Sequence, residues 1–435
     1  MKKVLGLLLL LIAAGAIFLV ITPSPIDPLA WDAPTAPTLT GVLEPNDTLM
    51  KAELVGKGKL HGPEDTAVDA QGRVYAGQAD GTIVRIDSND KVELFADTQG
   101  RPLGMDFDAQ GNLIVADAYK GLLSIDPQGA IKVLTTEAEG LPFAFTDDLD
   151  IASDGTIYFS DASSRFEQPD YLLDLLEARP WGRLLSYTPS SGKTQVLLKD
   201  LYFANGVALS AKEDFVLVNE TYRYRITRYW LKGDKAGEHE VFIDNLPGLP
   251  DNLEGDRAGT FWVALPSPRK SDADFLHQHP WLKAQIAKLP RAMWPKATPY
   301  GLAIAIDEQG QIIQSLHDTS GSHAHDHLGK TSGRLSVFRQ PGERPHRQTE
   351  DPLSHATQPV ARPVWRAVSQ ATRLTCHSAS FSRTHYRSSV APPVSPADAG
   401  PEQQSRLRNP LSPALLLPAL ARRRCSRTTE QRNRS

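Results

Sequence analysis

The sequence predicts an all-β chain, a six-bladed β-propeller carried on an N-terminal transmembrane helix and followed by a disordered basic tail. Three observations predict it: a strand–turn–strand unit that recurs six times, an uncharged apolar run at the N-terminus, and an abrupt change of composition after about residue 326. The domain boundaries that follow are 1–24 for the membrane anchor or signal segment, 25–45 for a Pro-rich linker, 46–326 for the propeller and 327–435 for the tail. With 40% hydrophobic and 23% charged residues over 435 positions, the chain is apolar enough for a large folded core.

The apolar run extends over eighteen residues, Val4 to Ile21, behind Lys2 and Lys3. A helix of that length reaches about 27 Å, close to the hydrocarbon thickness of a bilayer. The flanking lysines place the short N-terminus in the cytoplasm and the body on the exported side, periplasmic or extracellular/lumenal. The rival reading is a cleaved signal peptide and a secreted body, but Ala13 to Ala16 sit mid-run and no A-x-A site follows. From Thr22 to about Pro45 the Pro- and Thr-rich chain suits an extended tether.

The repeats begin near Gly62, Arg101, Phe145, Phe203, Leu249 and Pro299. Each reads as a strand, a tight turn (DAQG, ASDG, DRAG, DEQG) and a second strand. The turns align at Gly72, Gly111, Gly155, Glu213, Gly259 and Gly310, a spacing of 39 to 58 residues that matches propeller blades. Two stretches, 163–183 and 272–297, interrupt the pattern and read as helical excursions over one face, either a lid or decoration on a blade edge.

Eight residues before each turn position stand Glu64, Leu103, Asp147, Asn205, Asp251 and Leu302. Equivalent positions in a radial array converge on the axis, so the four oxygen donors among them are expected to meet at the channel mouth. Carboxylates crowded there repel one another. Glu64, Asp147, Asn205 and Asp251 supply the hard oxygen ligands that Ca2+, or another divalent cation, prefers. Asp65, Asp148 and Asn252 follow three of them as supporting partners or turn caps. Phe143, Phe145, Tyr202, Phe203 and Tyr300 flank the same motifs, as an apolar mouth or as core.

Charge and motif content exclude other classes. Residues 1–330 carry 30 Lys and Arg against 45 Asp and Glu, an acidic body unsuited to nucleic acid. Both cysteines, Cys376 and Cys425, lie in the tail, so the body holds neither disulfide nor thiolate metal site. No G-x-S-x-G elbow, phosphate-binding glycine loop or dinucleotide fingerprint occurs.

The motifs GPED, FTDDLDIASDGTIYFSD, GRLLSYTP, ANGVALS, and LPGLPDN followed by GTFWVAL are specific as a set. Through them the body, roughly Gly41 to Asp318, resembles the strictosidine synthase-like branch of the gluconolactonase and senescence marker protein superfamily, above all its adipocyte plasma membrane-associated group. The resemblance implies a six-bladed propeller with a channel Ca2+ held by Glu64, Asp147, Asn205 and Asp251. It also implies a catalytic role for Asp251, as general base or attacking carboxylate. Asp147 departs from the family's usual Asn. The implied function is a metal-dependent hydrolase of small-molecule esters or lactones, lactonase- or arylesterase-like, in which the cation stabilises the oxyanion. A non-catalytic binding or scaffold propeller, and a strictosidine synthase-like amine–aldehyde condensing enzyme, are the alternatives.

The tail from Thr331 has 17 Arg and no Lys, whereas residues 1–330 have 12 Arg and 18 Lys. Rich in Pro, Ser and Ala and without periodicity, it reads as disordered. A reading-frame shift between Ser322 and His327 explains the change, at the expense of the last blade. A genuine basic tail for acidic partners is the other account, and the SHAHDH run is a candidate chelator. A strand near Lys51 to Leu60 is expected to help close the ring from the N-terminal side.

Overall fold

The Leu- and Ala-rich N-terminal run forms one α-helix, α1 (Lys2–Ile21), as good helix formers in sequence should. The computed structural model describes residues 2–294, 300–320, 337–339 and 365–368, all within one unit, Met1–Leu374. Among the described residues no helix is long and apolar enough to cross a membrane. The transmembrane helix expected over 1–24 is therefore a helix here, not an established span; several of its side chains lie outside the described set.

After the short strand β1 (Glu53–Val55), the chain builds four-stranded antiparallel sheets in strict sequence order. The first holds β2 (Thr66–Val68), β3 (Val74–Gly77), β4 (Thr82–Ile86) and β5 (Val92–Asp97). The second holds β6 (Pro102–Phe107), β7 (Leu113–Asp117), β8 (Gly121–Ile125) and β9 (Ile131–Thr135). A two-residue ladder, β10 (Glu137–Ala138) with β11 (Leu141–Pro142), precedes the third, β12 (Thr146–Ile151), β13 (Ile157–Asp161), β14 (Gly182–Thr188) and β15 (Lys193–Leu201). The fourth is β16 (Ala204–Leu209), β17 (Phe215–Glu220), β18 (Arg225–Trp230) and β19 (His239–Ile243). The fifth is β20 (Leu253–Gly255), β21 (Thr260–Ala264), β22 (Gly301–Asp307) and β23 (Ile312–Asp318).

The Asp-x-x-Gly turns explain the repeat. Asp69 Oδ1 accepts from the backbone N–H of Gln71 (3.0 Å) and Arg73 (2.9 Å), and Gly72 takes the left-handed φ of +76° that closes the turn. Asp108, Asp256 and Asp307 repeat the arrangement. Where glycine is replaced by Glu213, the backbone still adopts φ +53°.

Five complete blades, not six, stand among the described residues, and the reason is visible in the fifth. Its inner hairpin, β20–β21, supplied the fifth sequence repeat, and its outer hairpin, β22–β23, supplied the sixth. β21 and β22 pair directly, from Thr260 opposite Asp307 to Ala264 opposite Ala303. A helical insertion separates these halves in sequence, and the outer turn Asp307–Gly310 has the same Asp-x-x-Gly chemistry as the inner ones. Leu302 consequently belongs to a third strand and has no place in the register of innermost strands. Beyond Asp318, β24 (Val337–Arg339) and β25 (Trp365–Val368) form a three-stranded sheet with β1, which lies parallel to β25. The N-terminal closing strand expected within Lys51 to Leu60 thus pairs with a tail segment. The SHAHDH run and the rest of the tail lie outside the described residues.

The core sits between neighbouring sheets. Tyr75 from the first blade stacks edge-on against Phe95 and Phe107, at 4.9 and 5.0 Å between ring centres, above buried Met105, Leu113 and Val115. Each large side chain so buried contributes about 2–3 kcal/mol. Both helical excursions occur in the connection from second to third strand: α2 (Tyr171–Glu177) in the third blade, α3 (Ser271–His277) and α4 (Pro280–Ala287) in the fifth. In an antiparallel sheet that connection lies at the same end as the loop leading into the first strand. The helices therefore cover the end where the register residues stand. Ile26, Phe166, Leu176 and Ala287 pack together there.

Residues 25–45, expected as a tether, lie across this end as a strap. The N–H of Leu29 donates to the Glu177 carbonyl and that of Trp31 to the His277 carbonyl, both at 2.9 Å. Asp27 N–H donates to Glu177 Oε2, and Arg269 Nη2 donates to the Pro34 carbonyl at 2.6 Å.

Candidate functional site at the mouth of the channel

Four of the five innermost strands begin at an oxygen donor. Glu64 (1% exposed), Asp147 (1%), Asn205 (0%) and Asp251 (5%) are all buried at those positions, and Leu103 occupies the fifth. The structure brings two of them into direct contact: Asn205 Nδ2 donates to Asp251 Oδ1 at 2.7 Å. Asp251 is held from its backbone too, because Asn219 Nδ2 donates to its carbonyl at 2.6 Å and its N–H donates to Ala264 at 2.9 Å. Asn219 Oδ1, fully buried, has no hydrogen-bond partner among the described residues.

The loops that carry these donors are fixed by a device absent from the sequence reading. At the end of the second strand of four blades a buried acceptor takes the N–H of the loop leading into the first strand. Gln78 Oε1 receives His61 (2.9 Å), Asp117 Oδ1 receives Arg101 (2.9 Å), Asp161 Oδ1 receives Phe145 (3.0 Å) and Glu220 Oε2 receives Tyr202 (3.0 Å). Two are charge-paired, Asp161 with Arg183 and Glu220 with Arg225. Burial nevertheless pushes the Asp161 carboxyl up to about 6, against the pull of Arg183. The signal was present as a polar residue closing an apolar strand in GQAD, VADAY, FSDAS and VNETY.

Asp65 and Asp148, expected as supporting partners, do a specific job. Innermost strands of adjacent blades share no ladder, so their facing N–H groups need acceptors. Asp65 Oδ2 accepts Met105 N–H of the next blade at 3.1 Å, and Asp148 Oδ2 accepts Val207 N–H at 2.8 Å. Asp150 Oδ2 takes Leu209 N–H at 2.7 Å in the same way. Below the mouth these residues line a cavity of about 350 Å3 with Asp106, Asn252 and Glu254, its wall completed by apolar side chains such as Val68, Leu149 and Trp262. Acid crowds it. Burial first, then the charges of Asp65 and Glu64, hold Asp148 well above the ordinary carboxylate range. Burial pushes Asp150 up to about 7 although Arg257 pairs with it. Desolvation in the channel first, then the charges of Asp65, Asp106, Asp150 and Asp256, pushes Glu254 up to about 8.

Of the five aromatics expected at the mouth, Phe145 and Phe203 meet edge-on at 5.2 Å, and Tyr222 joins Phe203 at 4.5 Å. With Leu103 they form an apolar layer. Phe143 instead packs on Phe159, Tyr202 lies beneath the Arg223 guanidinium at 3.6 Å, and Tyr300 bonds His317 Nδ1 through its hydroxyl at 2.8 Å.

The donor set is chemically suited to a hard cation: two kinds of oxygen donor, no sulfur, and a buried amide oxygen at Asn219 in reserve. Among the described residues, however, no group of three or more His, Cys, Asp or Glu side chains is gathered closely enough to hold a metal.

Comparison with known proteins agrees with the motifs. The strictosidine synthase family pattern matches residues 147–234, and the strictosidine synthase-like N-terminal pattern matches 41–86. The chain is 38% identical over 348 residues to the adipocyte plasma membrane-associated proteins of Homo sapiens, covering 73% of this chain and 83% of the human one, and of Rattus norvegicus, covering 73% and 92%. It is 38% identical over 304 residues to a strictosidine synthase-like protein of Arabidopsis thaliana, covering 63% and 81%. Among solved structures, a gluconolactonase from Xanthomonas campestris shares 18% identity at a TM-score of 0.46 over 73% of this chain and 92% of that one. The calcium-binding protein regucalcin from Agrobacterium tumefaciens shares 15% at 0.44 over 61% and 77%. Those structural likenesses add nothing to the blades already described.

Proposed function

The chain belongs to the strictosidine synthase-like family that includes the adipocyte plasma membrane-associated proteins, and from that premise we propose that it hydrolyses small-molecule esters or lactones with a divalent cation, Ca2+ by donor chemistry, at the mouth of the propeller channel. The observation that carries the reading is the recurrence of buried oxygen donors at one register position of four blades, with Asn205 bonded to Asp251. Glu64, Asp147, Asn205 and Asp251 would hold the cation. When bound, such an ion polarises a carbonyl and offsets the charge that develops on its oxygen.

The chain's own residues supply the rest. Asp251 takes the proton from the attacking water at a carboxylate oxygen, while Asn205 Nδ2 keeps that carboxylate oriented. The bond from Asn219 fixes the Asp251 backbone, so the base cannot swing away. Phe145, Phe203 and Tyr222 exclude bulk water from above, which strengthens each polar interaction beneath them.

Hydrolysis of a panel of aryl esters and lactones, with and without Ca2+, tests the proposal. Asp251→Asn should lower kcat/KM by about a hundredfold or more while the thermal transition persists. A wild-type chain with no metal-dependent turnover on any of them refutes the hydrolase. A second reading, a binding propeller without catalysis, draws on the spacing of the acids, since no three of them are gathered closely among the described residues. We further propose that α1 anchors the protein in a membrane with the propeller on the exported side. The naming of the relatives as plasma membrane-associated supports this. Alkaline carbonate should leave the protein in the membrane pellet, and release into the supernatant would exclude the anchor.

A further inference from the structure

The helices over the mouth border a second cavity, of about 170 Å3, whose wall shares Tyr222, Leu175 and Leu249 with the aromatic layer. Leu172, Leu175, Leu276, Tyr222, Leu249 and Trp294 give it apolar walls. An apolar cavity of about 150 Å3 is enough for one benzene ring. Two buried nitrogen side chains also face it, His277 (3% exposed) and Lys283 (1%), with Lys270 and Asp272 at its less buried side.

Neither is accounted for by the fold. The His277 ring lies edge-on to Trp31 at 5.1 Å, and its Nδ1 has no hydrogen-bond partner among the described residues. Burial and the positive charges of Lys283, Arg223 and Arg269 lower its pKa to about 3, so the imidazole is neutral. Lys283 Nζ donates to the Leu29 carbonyl at 2.5 Å, which leaves two of its three protons. Burial lowers it to about 8, so at neutral pH it is still mainly an ammonium. The neighbouring charges are committed elsewhere. Arg223 donates to the Tyr222 and Ala178 carbonyls, Arg269 pairs with Asp274 at 2.9 Å, and Glu177 takes Asp27 N–H, Trp181 Nε1 and Arg165. Asp272, exposed at the rim, accepts Ala273 N–H, and the room beside the buried ammonium is lined mainly by apolar side chains, where a charge without an anion is costly.

We propose that this cavity binds an aromatic carboxylate, its ring among the leucines and Tyr222 and its carboxylate on Lys283 Nζ and His277 Nδ1–H. The strap sets both donors, since Leu29 holds Lys283 and Trp31 holds His277. The site does not depend on hydrolysis, so binding and turnover can each fail without the other.

Calorimetric titration of the full chain with 3-phenylpropanoate, and with 3-phenylpropan-1-ol as its neutral counterpart, provides the test. The acid should bind at least about tenfold more tightly than the alcohol, the margin of one charge-assisted hydrogen bond. Lys283→Met should bring the acid down to the alcohol's affinity. Because Lys283 is buried and that variant is at risk of misfolding, Ala273→Trp fills the cavity from a half-buried position on α3 and should abolish binding of both probes with the melting transition retained. No binding of the acid to the wild-type chain, equal affinity for acid and alcohol, or undiminished binding to Ala273→Trp overturns the proposal.

Discussion

Asp161 carries three obligations at once: it receives Phe145 N–H two residues before Asp147, pairs with Arg183 through two bonds, and does so with no exposure to solvent. Asp161→Ala removes the partner of a guanidinium that is itself buried, so a loss of about 3–5 kcal/mol is expected in urea unfolding. A loss below about 1 kcal/mol would mean that water reaches Arg183 and that the loop holds its position unaided. Residues of this kind were only partly legible. Glu64, Asp147, Asn205 and Asp251 stood out because one register position repeated a chemical type. Asp161 and Glu220 were hidden because their role depends on which loop comes back to the strand end, and no local spacing encodes that.

At the scale of the element, two glycines distinguish backbone strain from crowding. Gly111 closes the inner turn of the second blade at φ +83° with open space around its missing side chain. Gly111→Ala should therefore cost only about 1 kcal/mol, the left-handed penalty. Gly206 is the third residue of the fourth blade's inner strand, where an added Cβ would stand 2.4 Å from Leu253 N and 2.5 Å from the Asp251 carbonyl oxygen. Gly206→Ala must push two innermost strands apart, and a larger loss, about 1–3 kcal/mol, is expected in the same unfolding experiment. Equal costs for the two would deny the close approach. The strands, turns and helical insertions were readable because alternation and Asp-x-x-Gly turns are local signals. Blade number was not. An inner and an outer hairpin present the same pattern, and the insertion of α3 and α4 stretched one sheet to the length of two repeats.

Over the whole molecule, raised carboxyl pKa values outweigh any single contact in setting the response to pH. Asp161 at about 6, Asp150 at about 7 and Asp174 at about 8 all keep their protons in the folded state longer than in the unfolded chain. For Asp174 the cause is burial, with the Glu177 charge adding to it and Ser163 opposing. His277, held neutral down to about pH 3, and His317, lowered by burial, act in the opposite sense below about pH 6.5. The three carboxyls dominate, so the folded state binds more protons overall and stability falls as pH rises toward 8. The urea midpoint in the presence of a chelator should be higher at pH 5.5 than at pH 8; the opposite order would show these groups ionised in the native state. Adding Ca2+ should recover more stability at pH 8 than at pH 5.5, because a cation compensates charge that only the higher pH develops.

The strap has a mechanical meaning as well. Helix α1 ends at Ile21 and the first buried residue of the strap is Ile26, packed on Phe166, Leu176 and Ala287, so the leash between them spans at most about 18 Å. Were α1 seated in a bilayer as proposed, so short a leash would keep the body from rolling over or drifting off and would hold its helix-covered end toward the lipid.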